Sequence, residues 1–142
     1  MALFLVTHGR LVGSAAGAEL DPAGFDEVWA LRDRLPQGAA WFCTPHPAAV
    51  ATCQLLTEGE VGIAAHLHGH DPAREDAETA RQRVLRGVRG VLDSHPGEDV
   101  VLVGEPGTWQ AVLRDLAPGL DPVPVLGTPD VLTLPEPLAS ER

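Results

Sequence analysis

Two apolar runs in this 142-residue chain each end on a residue able to move a proton. The first, "ALFLV" at 2–6, passes through Thr7 into His8, Gly9 and Arg10; the second, "DVVLVG" at 99–104, passes into Glu105 and Pro106. An imidazole set against a carboxylate across a cleft is an acid–base dyad, because the carboxylate favours the protonated ring and the ring can then give that proton up. Each residue also has a plainer reading. A lone histidine at a strand end is often a surface or capping group, and a carboxylate just ahead of a proline sits well at a helix start, near free amides and the positive end of the dipole.

The other histidines offer a second chemistry. In "AHLHGHD", His66, His68 and His70 alternate and Asp71 follows; alternation in an extended segment puts all three rings on one side, a donor set suited to zinc or nickel. No distant further ligand set accompanies them, so loop composition is the preferred reading and neither a metal nor another cofactor is expected. His46, in the turn "TPHP", is better placed to reach His8. Arg81, Arg83, Arg86 and Arg89 fall on a long amphipathic segment and read as a solvated face with local carboxylate partners rather than an anion site.

These residues need a scaffold, and the composition allows one. A 44% hydrophobic content over this length supports one domain, 1–142, with a real core. Ten arginines face 20 acidic residues for a formal charge of -10, which disfavours nucleic acid and anionic membranes as partners. There is no run of about 20 apolar residues, and the apolar start has neither a basic leader nor room for a signal peptide, so a cytoplasmic protein is expected. Cys43 and Cys53 lack CxxC spacing and read as small buried hydrophobes.

Strand and helix alternate along the chain. Residues 2–7 form a first strand, apolar on both faces as a central parallel strand must be. Asp21 then caps a helix whose first residue is Pro22, with Phe25, Val28, Trp29, Leu31, Arg32 and Leu35 as its apolar stripe and Pro36 its end. Strands follow at 39–44, 61–66 and 99–104, and helices at 47–56, 74–94 and 108–116. In the long helix Ala77, Ala80, Val84, Val88 and Val91 face the core. Segments 122–127 and 131–134 read as edge pieces, since their prolines cannot donate to a ladder. Trp109 and the proline-rich tail after Pro118 are candidates for an interface or plain surface. The pattern implies an α/β domain of three αβα layers, with a mostly parallel sheet and functional groups at the carboxyl ends of its strands.

Three segments together resemble the histidine phosphatase superfamily, the group of cofactor-dependent phosphoglycerate mutase and the small phosphohistidine phosphatases. "LFLVTHGR" is similar to the opening strand and its Arg-His-Gly signature. "LDPAGFDEVWALRDRL" is similar to a Leu-Thr-x-x-Gly helix start, and it leads into "CTPHPAAVATCQLL", similar to the Ser-x-x-x-Arg-Ala-x-x-Thr-Ala turn. "DVVLVGEPGTWQAVL" is similar to the late strand that ends in Ser-His-Gly. Order and spacing agree over residues 2 to about 127. The resemblance implies a phosphoglycerate mutase-like fold in a minimal form, with His8 as a nucleophile that becomes a phosphohistidine. It implies a pocket drawn from Thr7, Gly9, Arg10, Thr44, His46 and Glu105, and a small-molecule or phosphorylated ligand. It also allows His66, His68 or Glu75 to overhang that pocket from the loop after the third strand.

The pattern is broken at three of four charged positions: Thr7 and Ala48 replace the two arginines, and Glu105 replaces the second histidine. Two lost guanidiniums and one added carboxylate change the pocket by about three charges. Each charge within ~4 Å is worth roughly 4 kcal/mol at an effective dielectric near 20. A phosphate dianion is then disfavoured, and the expected protein is a degenerate relative whose pocket serves binding, regulation or a changed reaction. Two alternatives remain open. One is a working small phosphatase in which Arg10 with His46 or His68 replaces the lost cations; the other is a metal-dependent hydrolase built on His66, His68 and His70.

Overall fold

The computed structural model describes residues 2–13 and 18–135. Five strands, β1 (Leu3–Thr7), β2 (Ala40–Cys43), β3 (Gly62–Ile63), β4 (Val100–Gly104) and β5 (Asp130–Leu134), form one sheet in the order β3-β2-β4-β1-β5. The first four run parallel, and β5 closes the β1 edge antiparallel, pairing Leu5 with Leu132. The α-helices are α1 (Phe25–Trp29), α2 (Pro47–Leu56), α3 (Ala77–Ser94) and α4 (Pro106–Leu116).

Strand alternation divides the core in two. Leu3, Leu5, Val100, Leu102 and Leu134 point to one face and pack with Val84, Leu85 and Val88 of α3 and Val112, Leu113 and Leu116 of α4. Val6, Trp41, Cys43, Val101, Val103 and Val131 point to the other, against Val28 of α1 and Ala49, Cys53 and Leu56 of α2. Burial on both faces is why β4 is apolar at every position before its glycine. The expected three-layer αβα architecture is therefore the one observed. None of the described helices is long and apolar enough to cross a membrane.

Several expectations are corrected in detail. The helix expected over 22–35 is broken into a 3-10 turn (Pro22–Gly24), α1 and a second 3-10 stretch (Ala30–Arg34). Asp21 does cap it, accepting from the Ala23 amide at 2.9 Å. Only Val28, Leu31 and Leu35 of its stripe are buried, whereas Phe25 and Trp29 are exposed; at 100° per residue those two fall on the stripe's edge. The Arg32 guanidinium lies 4.3 Å from the Trp29 ring centroid, a cation–π contact that covers part of it. The third strand shrinks to two residues and gives way to a 3-10 turn at Ala65–Leu67. Segment 122–127 is irregular, since Pro122 and Pro124 have no N–H for a ladder. Ala77 of α3 is exposed rather than in the core. Trp109 is fully buried, its indole donating to the Val6 carbonyl at 2.9 Å, so it is core and not interface. The last residues of the proline-rich tail, 136–142, lie outside the described residues. Cys43 and Cys53 are both free thiols and buried; the neighbouring Cys43 and burial push the Cys53 thiol up, so it stays protonated.

Candidate functional site

The carboxyl ends of β1, β2 and β4 converge on a cavity of about 860 Å³ lined by His8, Arg10, His46 and Glu105. Each is there because a strand stops just before it. The ladder carries one step past β1, where the His8 amide donates to the Gly104 carbonyl at 3.0 Å, and one step past β2, where Thr44 donates to Val103 at 3.0 Å. Beyond these bonds the chain turns into loops whose side chains face the cavity.

His8 is only 4% exposed and its ring is oriented. Nδ1 lies 2.8 Å from the Gly9 carbonyl, an atom that can only accept, so Nδ1 carries the proton and the neutral ring presents the Nε2 lone pair. His46 is oriented the other way. It is the N-cap of α2, and its Nδ1 accepts from the Ala48 amide at 3.0 Å, which leaves the proton of the neutral ring on Nε2. Pro47 at the first helical position completes that helix start. The site thus sets a lone pair beside a donor. Chemically, such a pair can accept a hydroxyl proton or attack an electrophile while a neighbouring N–H steadies the product.

Glu105 takes the N-cap position of α4, where its carbonyl accepts from the amides of Thr108 at 3.1 Å and Trp109 at 3.3 Å. Its carboxylate makes no cap bond and has no hydrogen-bond or salt-bridge partner among the described residues, His8 included. The Glu105–His8 dyad is therefore two groups on one cavity and not a bonded pair. A Cβ at Gly69 would run into the Glu105 carboxylate in its present position, so the loop after β3 lies directly over this side chain.

Thr7, Gly9 and Thr44 do not line the cavity. The Thr7 hydroxyl donates to the Gly127 carbonyl at 2.5 Å and ties β1 to the loop before β5. Gly9 is required by packing: a Cβ there would lie 2.6 Å from Val28 Cγ2 and 2.8 Å from Leu20 Cδ1. Thr44 is 1% exposed and its hydroxyl has no partner among the described residues. Ala48, at the second signature-arginine position, is wholly buried. Arg10 does reach the cavity wall, but its Nε is held by Glu27 at 2.8 Å.

The loop histidines do not converge. His68 Nδ1 donates to the Gly69 carbonyl at 2.8 Å and His70 Nε2 to the Glu75 carbonyl at 2.9 Å, and His66 is exposed on its 3-10 turn. Among the described residues no three His, Cys, Asp or Glu side chains are arranged to hold a metal. Of this group only His70 lines the cavity; His66, His68 and Glu75 do not overhang it.

Sequence reasoning missed what holds that loop. Arg83, expected as part of a solvated face, donates to the carbonyls of His66 at 2.7 Å and His68 at 2.9 Å and pairs with Glu75 at 2.6 Å. Arg81 lines the cavity while shared between Glu78 at 2.6 Å and Asp115 at 2.8 Å, and both carboxylates hold its guanidinium well above the usual range. The i,i+3 spacing of Glu78 and Arg81 was the available signal; Asp115 is 34 residues away and gave none.

No protein-family model matches this chain, and no curated protein matches it in sequence. Solved structures do match. The chain is similar to a phosphoserine phosphatase from Entamoeba histolytica in complex with 3-phosphoglyceric acid, at 12% identity and a TM-score of 0.78 over 99% of this chain and 95% of that one. It is similar to a phosphoglycerate mutase from Thermus thermophilus, at 19% identity and a TM-score of 0.69 over 97% and 96% of the two chains. The protein histidine phosphatase SixA, complexed with tungstate, matches at 14% identity and a TM-score of 0.69 over 94% and 86%. Matched over nearly its whole length by structures of this kind, the chain has the phosphoglycerate mutase-like fold.

Proposed function

We propose that this chain is a divergent relative of the histidine phosphatases that keeps the strand-end imidazole but not the grip on a phosphate dianion, and that its pocket binds a small ligand instead of turning over ordinary phosphate esters. One observation carries the reading: every guanidinium on the cavity wall is already engaged by carboxylates, while the Glu105 carboxylate on the same wall is not. Phosphoryl transfer relies on positioning and on positive charge preorganised around the transferring oxygens. Here Thr7 and Ala48 supply none, Arg10 is neutralised by Glu27, and Glu105 repels an incoming oxyanion. The working-phosphatase alternative needs Arg10 to leave Glu27 and aim inward, and no contact in the site supports that. The same reading treats residues 1–142 as one domain, supported by the unbroken alternation of strand and helix.

The test is turnover of p-nitrophenyl phosphate and of 3-phosphoglycerate by the wild-type chain and by His8→Ala. The expected result is no activity above that of His8→Ala and no phosphohistidine after incubation. Turnover lost specifically in His8→Ala overturns the reading.

A further inference from the structure

We infer that the pocket beside His8 selects a cationic ligand, a primary ammonium or guanidinium group on an apolar body, with the Glu105 carboxylate as its anchor. The inference rests on the loss of the phosphate grip and goes further, to the charge of what binds. Glu105 lies on the cavity wall with neither oxygen committed to a partner among the described residues. Gly69 packs directly against that carboxylate, which a Cβ at this position would have to push aside. Among the described residues no guanidinium pairs with Glu105, so only the N-terminal dipole of α4 faces its charge. Arg10 is matched by Glu27, and Arg81 has two carboxylates to itself, so this wall carries surplus negative charge.

A second feature points to a ligand independently. His8 is 4% exposed and lines the same cavity with Nε2 unbonded, and the ring stacked on it, His46, offers the complementary N–H. Ala80, Val84 and Ala111 supply apolar surface between these polar ends. A buried lone pair, a donor and an uncompensated carboxylate around an apolar floor suit an amine-bearing molecule that carries a hydroxyl or carbonyl at its other end. Charge complementarity decides the sign of the ligand, since the formal charge of the chain is also -10.

The experiment uses three probes of one shape and different charge: benzylamine, benzyl alcohol and benzylphosphonate, titrated at low ionic strength into the full chain and followed by the NMR signals of the His8 and His46 rings. Benzylamine is expected to bind about tenfold or more tightly than benzyl alcohol, with benzylphosphonate weakest. Glu105→Gln should erase the preference for the amine, with an unchanged amide spectrum elsewhere as the check on folding. Glu27→Gln, which frees Arg10 on the surface, should weaken benzylamine and strengthen benzylphosphonate. Equal binding of the amine and the alcohol, or an amine preference that survives Glu105→Gln, overturns the inference. The two readings fail separately. His8-dependent phosphatase turnover with the amine preference intact refutes only the loss of activity, whereas benzylphosphonate binding without any amine preference refutes both.

Discussion

The imidazoles of His8 and His46 lie stacked, their centroids 5.4 Å apart and their planes inclined by 13°. Each ring is fixed by a different backbone group, a carbonyl for His8 and an amide for His46. Two loops from different strands are thus aligned by one ring-on-ring contact, and their free nitrogens differ in role.

His46 is consequently both a cap and a wall of the site, and the two roles separate by mutation. His46→Ala removes the acceptor for the Ala48 amide and is expected to cost about 1 kcal/mol, as lost N-caps do. His46→Asn keeps an acceptor at that position and should retain most of that stability, yet still perturb the His8 ring signals. Chemical denaturation with an NMR spectrum of the histidines checks both outcomes.

Gly69 and Glu105 should be coupled. Gly69→Ala forces its new Cβ into the Glu105 carboxylate, so it is expected to destabilise the wild-type chain while costing little in a Glu105→Ala background. A double-mutant cycle should return an interaction of roughly 0.5–3 kcal/mol. Simple additivity would mean that the Glu105 side chain swings aside at no cost.

Acid should unfold the protein partly through the start of α3. Arg81, and next the Gln82 amide, hold the Glu78 carboxyl down to about 2 from its ordinary 4.5. Thr79 holds the capping Asp76 down, and Arg83 holds Glu75 down. A depressed folded value stabilises the ionised form. That stability is complete above the unfolded value of 4.5 and is lost as pH falls toward about 2. Denaturation midpoints measured across that window should fall, and Glu78→Gln should flatten the fall. A profile unchanged by Glu78→Gln would mean that the exposed part of this network is screened by solvent.

Gly104, the last residue of β4, cannot take a side chain. A Cβ there would lie 2.7 Å from Trp109 Cζ2 and 2.9 Å from Thr44 Cγ2, and Trp109 is fully buried. Gly104→Ala is expected to cost about 1–3 kcal/mol in forced repacking, read from chemical denaturation. Trp109→Phe makes room but removes the indole donor from the Val6 carbonyl, which keeps its ladder partner across β4, a loss of about 1 kcal/mol by the same measurement.

The arrangement of strands and helices could be read from residue order alone, because burial on two faces leaves a local mark. Every position of Val100–Val103 is apolar, and the alternation with helices left a parallel three-layer sheet as the natural reading. Asp21, Asp76 and Pro47 announced helix starts through chemistry confined to a few neighbouring residues. His8, His46 and Glu105 were also visible as candidates, since each follows an apolar run. What the sequence by itself could not determine was which charges are spoken for. Arg81 and Asp115, Arg10 and Glu27, and Arg83 with the carbonyls of its loop meet only after the chain has packed. Nor could spacing show that Gly9 serves Val28 and Leu20, or that Gly69 serves Glu105. Alternation and caps depend on local geometry, whereas the sign of a pocket's field depends on pairings between distant residues, so the tertiary structure alone decided it.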